Sequence, residues 1–274
     1  MKGLLPLLFL CNSLFALPIS PQAHVSYALG KAPGIDNDYA NAGGSIPFKL
    51  CERYYALLDG EFYYLNRSAD YSWGNAVTAQ CGTRYITKHY SSAYAIDAYY
   101  DGRRAFHRTF NQSGFAIARF GRQWDLYGNF FYPIGKRCKR LIFDETIYDG
   151  GYFLDEALEV WMLRGYQFGF SRKVLLNRYL LFKPSFSGYR LQNNQRIWGY
   201  QFLFLVQYRN LASVNISISN DAEFGSRVQG VLRLSFSLFN NDQLYNFLSS
   251  AVNNPIERFK MVLLRQFDWY HWNW

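Results

Sequence analysis

Residues 122–135 read RQWDLYGNFFYPIG. Every second residue, Trp124, Leu126, Gly128, Phe130, Tyr132 and Ile134, falls into an apolar row broken by one glycine. The intervening Gln123, Asp125, Tyr127, Asn129 and Phe131 make a wetter row. A strand sends successive side chains to opposite faces, so this stretch predicts a β-strand with one oily and one wet face. The same pattern recurs. Ala212, Val214, Ile216 and Ile218 oppose Ser213, Asn215, Ser217 and Ser219. Leu232, Leu234 and Phe236 oppose Arg233, Ser235 and Ser237, and Tyr94, Ile96 and Ala98 oppose Asp97 and Tyr99.

Two features separate oil facing lipid from oil facing a protein core. Strands of soluble sandwiches run about 5–6 residues, whereas strands of transmembrane barrels run about 9–11 and alternate throughout; the alternation here has the longer run. The wet rows also carry charge in mid-strand, at Asp97, Asp125 and Arg233, and the same faces hold Asp101 and Asn129. A dry core would have to pair each charge, while a wet bore accommodates them. Aromatic residues sit near strand ends: Trp124 and Tyr132 on one strand, Trp198 and Tyr208 on another. Such residues anchor a strand at the membrane interfaces.

These observations predict an all-β fold, a closed antiparallel transmembrane β-barrel of about twelve strands, with a short, partly helical C-terminal tail. The strands are expected near 22–29, 43–53, 55–65, 73–86, 91–101, 110–120, 122–133, 158–170, 178–190, 197–208, 211–220 and 226–239. Residues 134–157 are expected to be a long polar loop. Residues 17–239 form the expected barrel and 240–274 the tail. Asp242 as an N-cap, with Leu244, Phe247 and Leu248 at helical spacing, suggests helix or irregular chain over 240–258. Trp269, Trp272 and Trp274 either anchor the tail at an interface or mark a last strand over 260–274.

Composition narrows the class. The chain has 274 residues, 20% aromatic and 18% charged, including 23 Tyr and 24 Phe. Mean hydropathy is −0.19, and no run approaches 18 apolar residues, which excludes a bundle of transmembrane helices. The start, MKGLLPLLFLCNSLFALPIS, has a Lys, a short apolar core and a small residue at Ala16. That is the layout of a signal peptide over residues 1–16, directing export. The formal charge of +9 would suit nucleic acid, but export argues against that partner and for anionic lipid headgroups or a basic lumen. Export leaves Cys51, Cys81 and Cys138, with no metal-ligand spacing and one disulfide or none expected.

Residues 94–135 carry a resemblance. Tyr99-Tyr100-Asp101-Gly102-Arg103 is followed by Phe110-Asn111-Gln112 with Gly114, then Trp124-Asp125, Asn129, Tyr132-Pro133 and Gly135. This succession resembles the β-domain of inverse autotransporters, the intimin/invasin-type outer-membrane proteins, and the likeness extends unevenly over about 22–265. It implies a twelve-stranded barrel in the outer membrane of a Gram-negative bacterium, inserted by the barrel-insertion machinery. It also implies a tail threading the pore toward surface domains. The sequence ends at Trp274, so no passenger domain is expected. Gly102 and Ala118 depart from the family's pattern, which affects fine lumen contacts only.

No catalytic constellation emerges. His24, His89, His107 and His271 lack metal-ligand spacing, and Ser226 lacks the glycines of a nucleophile elbow. The expectation is a non-enzymatic barrel without cofactor or metal, its pore occupied by its own tail. Asp97, Asp101, Asp125, Asn129 and Arg233 then either grip that tail or simply line a wet bore. Partners are the lipid bilayer and, through loops, a surface or host partner the residues do not identify. An open porin is the alternative, an outer-membrane enzyme the second, and a periplasmic β-sandwich the third.

Overall fold

The computed structural model describes residues 21–36, 38–65, 74–89, 91–105, 108–149, 152–192, 195–237, 251–252, 256–259, 261 and 263–273. The expected signal peptide and residues 240–250 lie outside the described residues.

Alternating segments become strands in chain order: β1 (Gln22–Gly30), β2 (Tyr39–Lys49), β3 (Tyr54–Leu65), β4 (Gly74–Ile86), β5 (Ser92–Ala105), β6 (Arg108–Gly121) and β7 (Trp124–Ile134). Then follow β8 (Cys138–Asp149), β9 (Tyr152–Met162), β10 (Arg164–Arg172), the two-residue β11 (Val174–Leu175), β12 (Leu180–Gln192), β13 (Arg196–Tyr208), β14 (Ala212–Asp221), β15 (Gly225–Ser237) and β16 (Leu264–Asn273). Antiparallel neighbours run β10-β7-β6-β5-β4-β3-β2-β1-β15-β14-β13-β12, and β10 pairs with β12 to close the ring. The result is a closed twelve-stranded barrel, as the alternation predicted.

The parity of the side chains is as expected. Trp124, Leu126, Tyr132, Trp198, Phe202, Phe204, Tyr208, Ile216, Leu232 and Leu234 lie exposed on the outer face. Asp97, Asp101, Asp125, Asn129, Ser217 and Ser219 lie buried on the inner one. An exposed apolar row on so many neighbouring strands is a lipid-facing belt, since no monomeric soluble surface leaves that much oil in water. Trp124 and Tyr132 bracket one strand of the belt and Trp198 and Tyr208 another, all more than two-fifths exposed.

The inner face has its own device. Tyr99, Tyr127 and Tyr189 each stand directly across from a glycine: Gly114, Gly169 and Gly199. A methyl group at Gly114 would lie 2.5 Å from the Tyr99 ring. The glycine therefore makes room for a large ring laid along the wall, and the ring covers backbone that the missing side chain would expose. The Tyr99 hydroxyl donates to the Phe130 carbonyl oxygen at 2.9 Å, two strands away.

Several expectations require correction. Residues 134–157 are not a loop: β8 and β9 form a hairpin outside the ring, joined by β16 into a separate three-stranded sheet. The expected strand at 158–170 is two strands, the end of β9 and the start of β10, divided at Leu163. The physical mark of the division is a slip of parity. Val160 and Met162 are buried, Leu163 beside them is also buried, and Gln167 and Ser171 then carry the inward row. The strand expected at 43–53 is Tyr39–Lys49, because the turn follows Lys49. The tail is not helical throughout: only 251–252 among its described residues have helical form, and Leu264–Asn273 is a strand. That strand pairs with β9 rather than closing the barrel.

The connections at the end where β1 begins and β15 finishes are short: 50–53, 87–91, 122–123, 173–179 and 209–211. The opposite end carries the short 106–107, 193–195 and 222–224, and with them 31–38, 66–73 and the long excursion holding β8 and β9. Outer-membrane barrels keep short turns in the periplasm and longer loops outside, which sets the orientation used below. The three cysteines are unbonded and report it: Cys51 lies in a short turn, Cys81 faces the belt and Cys138 opens β8. Partial burial and Glu159 raise the Cys138 thiol pKa, shifting its thiolate to higher pH. An impermeant maleimide on intact cells is expected to label Cys138, faster as pH rises, with Cys51 labelled only after permeabilisation and Cys81 in neither case. Labelling of Cys51 before Cys138 would reverse the orientation.

Candidate functional site in the lumen

The inner row of β4 and β5 builds the first cluster. Gly82 stands across from Asp97 and Thr78 across from Asp101. A side chain at Gly82 would overlap the Asp97 carboxylate, so the glycine gives that carboxylate its place. Arg84 binds both Asp97 oxygens, with Nη2 donating to Oδ2 at 2.9 Å, and Gln80 donates to the same oxygen at 2.5 Å. Both partners of the ion pair are fully buried. Asp101 accepts from Thr78 at 2.9 Å and from Gln112 at 3.2 Å.

The tail enters this cluster. The Arg258 guanidinium donates twice to Asp101, Nη1 to Oδ2 at 2.9 Å and Nη2 to Oδ1 at 3.0 Å. Its Cζ lies 3.6 Å from the centroid of the Tyr99 ring. A fork-on-fork pair fixes distance and plane together, and the ring offers its electron-rich face to the cation. The backbone N–H of Ile256 donates to Asp97 at 3.4 Å.

A second cluster lies further round the wall, on β7 and β12. Asp125 accepts from the Gly121 N–H at 3.1 Å and pairs with Lys173 at 2.7 Å and Lys183 at 3.6 Å. Lys183 also reaches Glu257 of the tail at 3.4 Å. Asn129 donates to the Glu257 carbonyl oxygen at 2.7 Å. The neighbouring tail residues Glu257 and Arg258 are thus held by different strands, one by β7 and β12, the other by β5. Phe259 follows, its ring 5.2 Å from that of Tyr189.

Arg233 belongs to neither cluster. It faces the lumen beside Glu61, Nη2 to Oε1 at 3.8 Å, where Glu61 also accepts from Asn41 at 3.0 Å and from Tyr63. The structure therefore divides the five polar candidates into three groups rather than one. Beyond the clusters the tail reaches the loop end. The Leu163 N–H donates to the Leu263 carbonyl at 3.0 Å, Met261 packs with Ala32, Ile35 and Tyr63, and Arg265 pairs with Glu223.

Sequence reasoning missed Arg84, Glu61, Lys173, Lys183, Glu257 and Arg258. Parity places Thr78, Gln80 and Arg84 on one face of β4, so that signal was present. Lys183 shares the inward row of Leu181, Ser185 and Ser187 on β12, so parity marked it as well. No periodicity marks Glu257 and Arg258; only the folded path brings them to the wall. Chemically, the lumen is a set of donors and acceptors matched to a polypeptide. Removing one partner of a buried pair costs more than removing both, about 3–5 kcal/mol for the single loss. Arg258→Met is therefore expected to destabilise the lipid-reconstituted barrel toward urea by that amount, and Arg258→Met with Asp101→Leu to recover part of it. Strictly additive losses would show that the two residues are not coupled.

No family model matches this sequence, and no curated protein matches it. Among solved structures, it is similar to a membrane protein from work on in-meso crystallization, at 11% identity and TM-score 0.63, over 90% of this chain and 100% of that one. It is also similar to an outer-membrane channel from Pseudomonas putida F1, at 12% identity and TM-score 0.50, over 82% of this chain and 98% of that one. These likenesses are of fold. With the lipid-facing belt and the charged bore, they make the chain an outer-membrane β-barrel.

Proposed function

We propose that the chain is a barrel of inverse-autotransporter type whose own tail occupies the bore, and that it has no enzymatic role. The observation that carries this reading is the pair Glu257 and Arg258, tied to different strands of the wall, β12 and β5, at 3.4 Å and 2.9 Å. Some residues of the resemblance add support, because they meet the tail or seat a residue that does. Asp101 binds Arg258, Tyr99 stacks on it, Gly114 seats Tyr99, and Asn129 holds the Glu257 carbonyl. β15 ends at Ser237 on the short-turn side, while β16 begins at Leu264 on the loop side. The intervening chain therefore passes from one mouth to the other, as a pore-threading linker would. At the far mouth it adds to the edge of β9 by main-chain pairing, a strand addition that needs no particular side chain.

Planar-bilayer recording tests the reading against an open channel. The full chain is expected to show little steady conductance. A chain ending at Ser237 is expected to conduct several-fold more, and the full chain with Glu257→Ala and Arg258→Ala to open in frequent bursts. Large, steady conductance of the unaltered full chain would overturn the plugged reading and favour the channel.

A further inference from the structure

We propose that the outer wall of the barrel carries a site for a phosphorylated, multiply acylated lipid of the outer leaflet, of the lipid A class. A cavity of about 640 Å³ opens on the lipid-facing side across β5, β6, β7, β10 and β12. It exists because the wall is thin there. Ser113 and Gly114 leave β6 nearly bare, Gly165 does the same on β10, and the rings across from Gly114, those of Tyr99 and Phe131, turn inward. Phe115 and Phe130 line it, stacked at 4.7 Å, with Tyr166 6.3 Å beyond Phe130. This is an oily slot in the lipid-facing belt.

Two arginines edge the slot toward the loop end. Arg190 stands directly across from both Tyr166 and Trp198, its guanidinium 6.0 Å and 5.2 Å from their ring centroids. Its Nε is buried and lacks a hydrogen-bond partner. Arg164 lies 6.0 Å from the Tyr132 centroid, and Arg137 lies 4.7 Å from the same ring. Among the described residues, no carboxylate pairs with Arg164 or Arg190. Charge on a lipid face is unfavourable unless it reaches the interface or finds a counter-ion. An arginine presents a rigid fork suited to phosphate oxygens, and the adjoining slot accepts hydrocarbon. Anionic head beside acyl chain is the chemistry of a phosphorylated lipid. The site lies at the loop end, and the orientation above puts that end in the outer leaflet, where lipid A is the phosphorylated species. The proposal does not depend on what fills the bore.

Native mass spectrometry of the full chain, extracted from a Gram-negative outer membrane in mild detergent, tests it. The unaltered protein is expected to retain one lipid A. Arg164→Gln with Arg190→Gln should lower that fraction about tenfold, and excess phosphatidylglycerol should not displace the lipid. Arg172→Gln, which removes the arginine stacked on Trp124 at the opposite rim, should change nothing. If the double variant fails to fold, Ser113→Phe fills the slot with both arginines kept, and the same loss is expected. Equal retention by these variants, equal loss in Arg172→Gln, or displacement by phosphatidylglycerol would each overturn the site.

Discussion

The pairing of β10 with β12 closes the sheet, and the remaining features follow from that closure. In hydrocarbon an unpaired backbone N–H or C=O is costly, so a spanning sheet has to end on itself. Closure with two-residue alternation then assigns every side chain to oil or to bore. The bore cannot be left as an apolar void, nor lined with bare charge. Here it is lined with charge that finds opposite charge, first along the wall, as in Arg84 with Asp97, and then on a segment of the same chain.

That second kind of partner explains the residues gathered around Arg258. Asp101 without Arg258 would be a buried carboxylate held only by Thr78 and Gln112. Desolvation would then work against it without a full opposing charge. Wall and tail therefore satisfy each other. The Tyr–Gly pairs contribute to the same end: Tyr99, pinned across Gly114, is both a piece of the wall and the platform under the Arg258 guanidinium. A small residue on one strand thus sets the position of a contact with a chain segment far along the sequence.

At the loop end the economy differs. Once past Leu263 the tail leaves the bore and needs new hydrogen-bond partners for its backbone. The β8–β9 hairpin supplies them along its free edge, from Met162 down to Phe153. The hairpin is therefore a receiving surface for the emerging chain. One of its two connections to the barrel is Leu163, buried and bonded to Leu263, so the hairpin and the tail meet at that residue.

The sequence alone determined the barrel and the identity of its oily and wet faces, because those depend on a period of two that can be counted along one strand. It also showed Asp97, Asp101, Asp125, Asn129 and Arg233 on the wet face. It did not show that these residues fall into three clusters, since cluster membership depends on cross-strand register. Nor did it distinguish β9 from β10, because the run from Val160 to Phe170 alternates almost without a break and only the doubled burial at Met162 and Leu163 divides it. Tertiary structure alone decided the course of the tail. Glu257 and Arg258 sit in a segment with no period, and their partners are more than seventy residues away in sequence, so only the closed ring brings them together.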